Sequence, residues 1–264
     1  MSEMEAKSIL KADHITIRFG GLVAVDDFDL EIHKGDLWAI IGPNGAGKTT
    51  VFNMLTGIYP PTEGEIFIEG QSMAGKKPFE FARAGVSRTF QNIRLFHGSS
   101  VLDNVKMAHT LNCKYGYTDM LVRTKKYHQE EERITKEALE LLDLFGLADK
   151  KDLFATQLPY GDQRKLEIVR ALATKPKLLL LDEPAAGMSP GEIDEVIALI
   201  NRVHKEMDQT ILMIEHHMKL VMSIAERIKV LEFGRTISEG TPEYVQNDPL
   251  VIAAYLGGDP DAHA

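Results

Sequence analysis

The residues Gly42-Pro43-Asn44-Gly45-Ala46-Gly47-Lys48-Thr49 constrain this chain more than any other stretch. They fit G-x-x-x-x-G-K-[ST] in full. The apolar run Leu37-Trp38-Ala39-Ile40-Ile41 precedes them and suits a strand buried on both faces. A helix is predicted from about Lys48. Strand, glycine turn and helix in that order form a phosphate cradle. Glycines let successive amide N–H groups converge on an anion without a Cβ in the way, and the positive end of the helix favours the charge. Lys48 is expected at the β- and γ-phosphates, the Thr49 hydroxyl on Mg²⁺, and Thr50 near the α-phosphate. The order of glycines is not the G-x-G-x-x-G of a dinucleotide site. The nucleotide-contacting set is therefore Gly42, Pro43, Asn44, Gly45, Ala46, Gly47, Lys48, Thr49 and Thr50.

Around this loop the pattern alternates between strand and helix. Ile15 to Phe19 and Leu22 to Ile32 alternate apolar and polar residues, with Gly20-Gly21 as the turn between them. Glu65 to Glu69 alternates between Gly64 and Gly70. Lys177 to Leu181 and Thr210 to Ile214 are apolar runs of buried-strand length, flanked by helix patterns at Gln163 to Ala173 and Gly191 to Glu206. Such alternation predicts a mainly parallel sheet with crossover helices. Residues 92–170 read differently. Val101 to His109 and Glu130 to Leu144 have helical patterns, the second with a stripe of Ile134, Ala138, Leu141 and Phe145, and no strand pattern intervenes. The expected organisation is one α/β domain over 1–264. Its nucleotide-binding core comprises 1–91 and 171–264, including an N-terminal antiparallel β subdomain, with a helical subdomain inserted at 92–170. Residues from Gly257 to Ala264 are expected to fray.

The run Leu178 to Leu181 ends in Asp182-Glu183-Pro184. A carboxylate just past a buried strand in a protein with a phosphate loop is a Mg²⁺ partner, directly or through water, which assigns Asp182 to the metal. The adjacent Glu183 is placed to polarise the water that attacks a γ-phosphate.

Composition narrows the class. The net charge of −9 argues against general nucleic-acid binding, which needs clustered positive charge. A transmembrane helix needs about 20 apolar residues, and the runs here are only a few residues long. The opening MSEMEAKSIL has acidic residues and no signal-peptide core. The single cysteine, Cys113, excludes an intrachain disulfide and fits a reducing compartment.

The phosphate loop, Gln91, Leu158-Pro159-Tyr160-Gly161-Asp162-Gln163, Leu181-Asp182-Glu183-Pro184 and His216 occur in the order of an ABC-type ATPase. The chain resembles the nucleotide-binding subunit of a bacterial ABC transporter over nearly its whole length. It is most similar to the G-type ATPase of branched-chain amino acid uptake systems. Residues Arg18 to Val25, Arg88 to Phe96, Tyr160 to Glu167, Ile214 to His216 and Ala253 to Gly257 carry the finer likeness. The resemblance implies ATP and Mg²⁺ as ligands. Phe19 would stack on adenine. Gln91 would sense Mg²⁺ and the γ-phosphate and pass that state to the membrane subunit. Gly161 would offer its N–H to ATP on a partner subunit, and His216 would touch the γ-phosphate as a switch. The catalytic set so implied is Lys48, Gln91, Glu183 and His216, with Thr49, Gln91 and Asp182 toward the metal.

The implied partners are two integral membrane permease subunits, a second ABC ATPase and, indirectly, an external substrate-binding protein. The implied place is the cytoplasmic face of the inner membrane, as a peripheral subunit. The signature departs from the superfamily's Leu-Ser-Gly-Gly-Gln: Pro159 stands for the serine, Tyr160 for the first glycine and Asp162 for the glutamine. After Glu183, Gly187-Met188-Ser189 occupies the turn where the family carries an aspartate. Both changes fall on the surface expected to face a second ATPase, which favours a heterodimer with unequal sites over a homodimer. Branched-chain amino acids lead as cargo. Urea uptake, lipid export and a soluble, non-transport ABC protein are the alternatives.

Overall fold

The computed structural model describes residues 8–256. The predicted fraying of Gly257 to Ala264 lies outside the described residues. In chain order the strands are β1 (Ser8–Phe19), β2 (Leu22–His33), β3 (Leu37–Ile41), β4 (Glu63–Ile68), β5 (Gln71–Ser72), β6 (Val86–Arg88), β7 (Leu178–Asp182), β8 (Thr210–Ile214), β9 (Arg227–Glu232) and β10 (Arg235–Gly240). The α-helices are α1 (Lys48–Leu55), α2 (Pro78–Ala84), α3 (Val101–His109), α4 (Tyr117–Val122), α5 (Lys125–Leu144), α6 (Tyr160–Ala173), α7 (Pro190–Glu206), α8 (Met218–Ile224), α9 (Pro242–Gln246) and α10 (Pro249–Leu256). They divide into two compact units, one of residues 1–88 with 177–264 and one of residues 89–176.

The first unit holds two sheets. The larger has the order β10-β9-β3-β8-β7-β6. Strands β3, β8, β7, β6 and β9 run parallel, and β10 closes the edge antiparallel to β9. Every residue of β3, β7 and β8 is buried, which is why these strands read as unbroken apolar runs. The smaller sheet is antiparallel, in the order β2-β1-β4-β5. Its strands alternate because one face packs on the core, where Leu10, Ile15, Phe28, Ile32 and Ile68 meet Val51, Phe52 and Leu55 of α1. The architecture is the mainly parallel sheet with an antiparallel β subdomain that the sequence predicts.

The second unit is helical among its described residues, save for an isolated bridge between Ser100 and Phe154. Helix α5 begins at Lys125, five residues before the expected start. Its first turns are polar and give no apolar stripe, while the Thr124 hydroxyl caps them by accepting the Tyr127 N–H. Its buried stripe is Glu130, Ile134, Ala138 and Leu142, so Leu142 takes the place expected for Leu141.

A histidine lies inside this helical unit. His109 is fully buried on α3, and neither ring nitrogen has a hydrogen-bond partner. Burial holds its pKa below the ordinary histidine value; Glu137, 3.6 Å away, opposes that shift, while Lys175 and Arg133 add to it. The unfolded chain therefore takes up this proton more readily than the folded one. Stability is complete above the ordinary value of 6.5 and is lost as pH falls from there through the folded pKa. The melting temperature should drop below that pH, and His109→Leu should flatten the dependence. An unchanged slope in that variant would assign it to other groups.

Candidate functional site

The loop between β3 and α1 wraps the start of a helix. Two glycines in it have no substitute. A Cβ on Gly42 would sit 2.0 Å from the Leu231 carbonyl oxygen, and one on Gly47 would sit 2.8 Å from that of Ala24. At Gly47 φ is 100°, in the region that favours glycine. Lys48 is buried, and its ammonium donates to the carbonyls of Gly42 at 2.6 Å and Pro43 at 2.9 Å. Burial lowers its pKa, and the charge of Glu183 pulls the other way. Thr49 is exposed and Thr50 half-buried. The loop thus offers a glycine cradle, one buried cation and a hydroxyl at a helix start, the donor set a nucleotide's phosphates need.

Asp182 ends β7 in the interior. Its carboxylate accepts from Arg88 at 2.6 Å, and Arg88 also donates to the Asn53 side chain at 2.8 Å. Arg88 is a residue that sequence reasoning did not single out. It ties β6 and α1 to the acidic end of β7, and its charge offsets that of a buried carboxylate. Oxygen donors of this kind, the Thr49 hydroxyl and the Asp182 carboxylate, suit a hard cation such as Mg²⁺.

Glu183 follows with φ at 48°, left-handed for a non-glycine residue. Such a conformation costs about 1–3 kcal/mol and persists only where neighbours enforce it. Here the Glu183 N–H donates to the Ile214 carbonyl at 2.9 Å, fixing the turn against the end of β8. The Glu183 side chain is 17% exposed, and its carboxylate lies 3.8 Å from His216 Nδ1. The histidine is exposed, with the ring of His217 4.3 Å from its own.

Glu215 holds these two turns together, and the sequence pattern did not reveal it. It is fully buried. One carboxylate oxygen accepts the Ala185 N–H at 2.9 Å; the other accepts those of His216 at 2.8 Å and His217 at 3.0 Å. Its neighbours in sequence are an apolar strand and two histidines. Only the folded contacts show that it joins the turn after Glu183 to the one carrying His216. Tyr255 on α10 is another residue not singled out for the site in the sequence. Burial pushes the pKa of its phenol up to about 12, and the Gly42 backbone opposes that rise.

Phe19, at the end of β1, is exposed rather than in the core and meets Tyr59 edge-on at 5.4 Å. An exposed ring at a strand end is free to stack on a ligand. Gln91 and Gly161 belong to the helical unit. Gln91 is exposed. Gly161 is buried as the second residue of α6, among the first-turn amides that lack a helical acceptor.

Residues 25–186 match the family model described as ABC transporter, and residues 235–261 match that of the branched-chain amino acid ATP-binding cassette transporter. The high-affinity branched-chain amino acid transport ATP-binding protein LivG of Escherichia coli K12 is 43% identical over 252 residues, covering 96% of this chain and 99% of that protein. BraF of Pseudomonas aeruginosa, named for the same transport, is 42% identical over the same shares. The crystal structure of a nucleotide-free ATP-binding cassette from an ABC transporter superposes with a TM-score of 0.80 at 31% identity, covering 94% of this chain and 98% of that one. The crystal structure of the ADP conformation of MJ1267, an ATP-binding cassette of an ABC transporter, gives 0.81 at 31% identity, covering 95% of this chain and 99% of that one. The chain belongs to the ATP-binding subunits of ABC transporters. It is an ATP-binding and ATP-hydrolysing cassette of the P-loop class.

Proposed function

We propose that this cassette powers uptake of branched-chain amino acids as a peripheral subunit at the cytoplasmic face of the inner membrane, with two permease subunits and a second ATPase as partners. The observation that carries the cargo is the match of residues 235–261 to the branched-chain model, together with near-complete coverage of relatives named for that transport. No described helix is long and apolar enough to cross a membrane.

In this reading two cassettes close head to tail on two ATP molecules. Each ATP lies between the phosphate loop of one subunit and the α6 start of the other. ATP favours the closed pair because the contacts from Gly161 exist only there. Lys48 leaves its own loop carbonyls for the β- and γ-phosphates. Phe19 stacks on adenine. Mg²⁺ neutralises phosphate charge when bound, with Thr49, Gln91 and Asp182 as the residues that would hold it or orient its water. Glu183 accepts the proton of the attacking water, and His216 steadies the γ-phosphate beside it. Catalysis is then mostly positioning and charge stabilisation. Glu215 would keep the base and the switch histidine in register. Pro159 lacks both hydroxyl and N–H, which supports unequal sites in a heterodimer.

The test is to purify tagged Glu183→Gln protein from mildly solubilised membranes with ATP and Mg²⁺ and to identify its companions by mass spectrometry. Two different hydrophobic subunits and a second ATPase are expected. One kind of membrane subunit with a self-paired cassette would favour another cargo. Recovery with ribosomes or DNA alone would overturn the transport reading.

A further inference from the structure

Three residues of α6, at i, i+4 and i+7, lie in one stripe. They are Tyr160, Arg164 and Glu167. Arg164 and Glu167 are buried charges, 3% and 5% exposed, paired at 3.2 Å. Both also reach a single segment of backbone. Arg164 donates to the Phe90 carbonyl at 2.8 Å and to the Gln91 carbonyl. Glu167 accepts the N–H groups of Phe90 at 3.2 Å and Arg94 at 3.4 Å. One turn further on, Arg170 donates to the Arg94 carbonyl. The segment 90–94 lies outside the assigned strands and helices, and α6 side chains take up part of its backbone hydrogen bonding. At the other end of the stripe, Arg164 Nε donates to the Tyr160 phenol at 3.2 Å. Tyr160 is the signature residue that stands where the superfamily pattern has glycine.

We propose that Arg164 and Glu167 are positioning residues that clamp the signature helix to the loop bearing Gln91, so that a movement of the α6 start carries Gln91 with it. The consequence rests on the reading of Gln91 and Gly161 given above; the clamp itself does not. The guanidinium is required by geometry. Its planar fork serves two carbonyls, a carboxylate and a phenol at once, which the compact ammonium of lysine does not reproduce. The carboxylate is needed equally, because a buried amide would turn a donor toward a donor. Burial raises the carboxyl pKa of Glu167, with the Phe90 N–H and the Arg164 charge opposing it. The Arg164 charge and the backbone N–H groups offset part of the cost of burying this carboxylate. In this arrangement Tyr160 extends the clamp to the surface that meets the partner's ATP.

The experiment compares wild type with Arg164→Lys, Glu167→Gln, the exchanged pair Arg164→Glu/Glu167→Arg, and Gln91→Ala. Amide hydrogen exchange of the full chain follows residues 89–95 and α6, and ATP hydrolysis is followed on the complex recovered from membranes. Loss of either clamp residue should speed exchange at Phe90 and Arg94 by about tenfold or more while the C-terminal half of α6 stays protected. It should lower kcat by about tenfold with KM for ATP held within about twofold, because the loop is misplaced and the phosphate cradle is not. The exchanged pair restores an ion pair without the backbone contacts and should not rescue kcat. Rescue by that pair, or unchanged exchange at 89–95, overturns the clamp. If the variants fail to fold, wild type alone decides: Phe90 and Arg94 amides protected like α6 support the clamp, and amides exchanging like an open loop refute it. Gln91→Ala separates the two readings. A wild-type kcat there refutes the role of Gln91, and the exchange data still judge the clamp.

Discussion

Glutamine in place of Glu183 should leave ATP bound and abolish most turnover. The substitution keeps the shape of the side chain and the left-handed turn that the Ile214 carbonyl pins. In the proposed role of Glu183 as base, it removes the carboxylate's charge and with it the capacity to take the proton of the attacking water. Loss of a positioned base costs about 10²–10⁴-fold in rate. ATP affinity should stay equal or rise, because the variant removes a negative charge whose field reaches Lys48. A fluorescent ATP analogue measures the first quantity, and single-turnover hydrolysis the second. Wild-type hydrolysis in Glu183→Gln would assign the base to another residue, and His216, 3.8 Å from the carboxylate, would be the first to test.

What the sequence shows in advance, and what it hides, follows from where the information lies. Strands β3, β7 and β8 announce themselves because burial on both faces demands apolar residues at every position. The phosphate loop is equally legible, since Gly42 and Gly47 answer to backbone clashes that no other residue survives. Helix α4 escapes because Tyr117, Met120, Leu121 and Val122 are exposed, so no stripe faces a core. Strand β6 escapes because three residues show no period. The hidden part of the site is of one kind. Arg88, Glu215, Arg164 and Glu167 are buried charges that each have a partner distant in sequence, and several of those partners are backbone groups with no residue identity at all. A motif names the residue that meets the ligand. Its supports are found only when the chain is folded.

Lys48→Ala carries the second large effect, and its sign pattern is opposite to that of Glu183→Gln. Affinity for ATP should fall about 10- to 100-fold, the range for losing one hydrogen bond to a charged group. Two losses add in this variant. The phosphates lose their buried cation, and before ATP arrives the Gly42 and Pro43 carbonyls lose the ammonium that bridges them. The second loss acts on the empty protein, so the melting temperature without nucleotide should fall as well. Lys48→Met isolates a further contribution, the packing of the stem. It keeps the apolar stem in its buried place without the ammonium, so it should regain packing and neither the affinity nor the carbonyl contacts. Isothermal titration with ATP and Mg²⁺, alongside thermal melting of the empty chain, reads both. Unchanged affinity in Lys48→Ala would remove this lysine from the phosphate site. A drop in melting temperature alone would reduce it to a strut of its own loop.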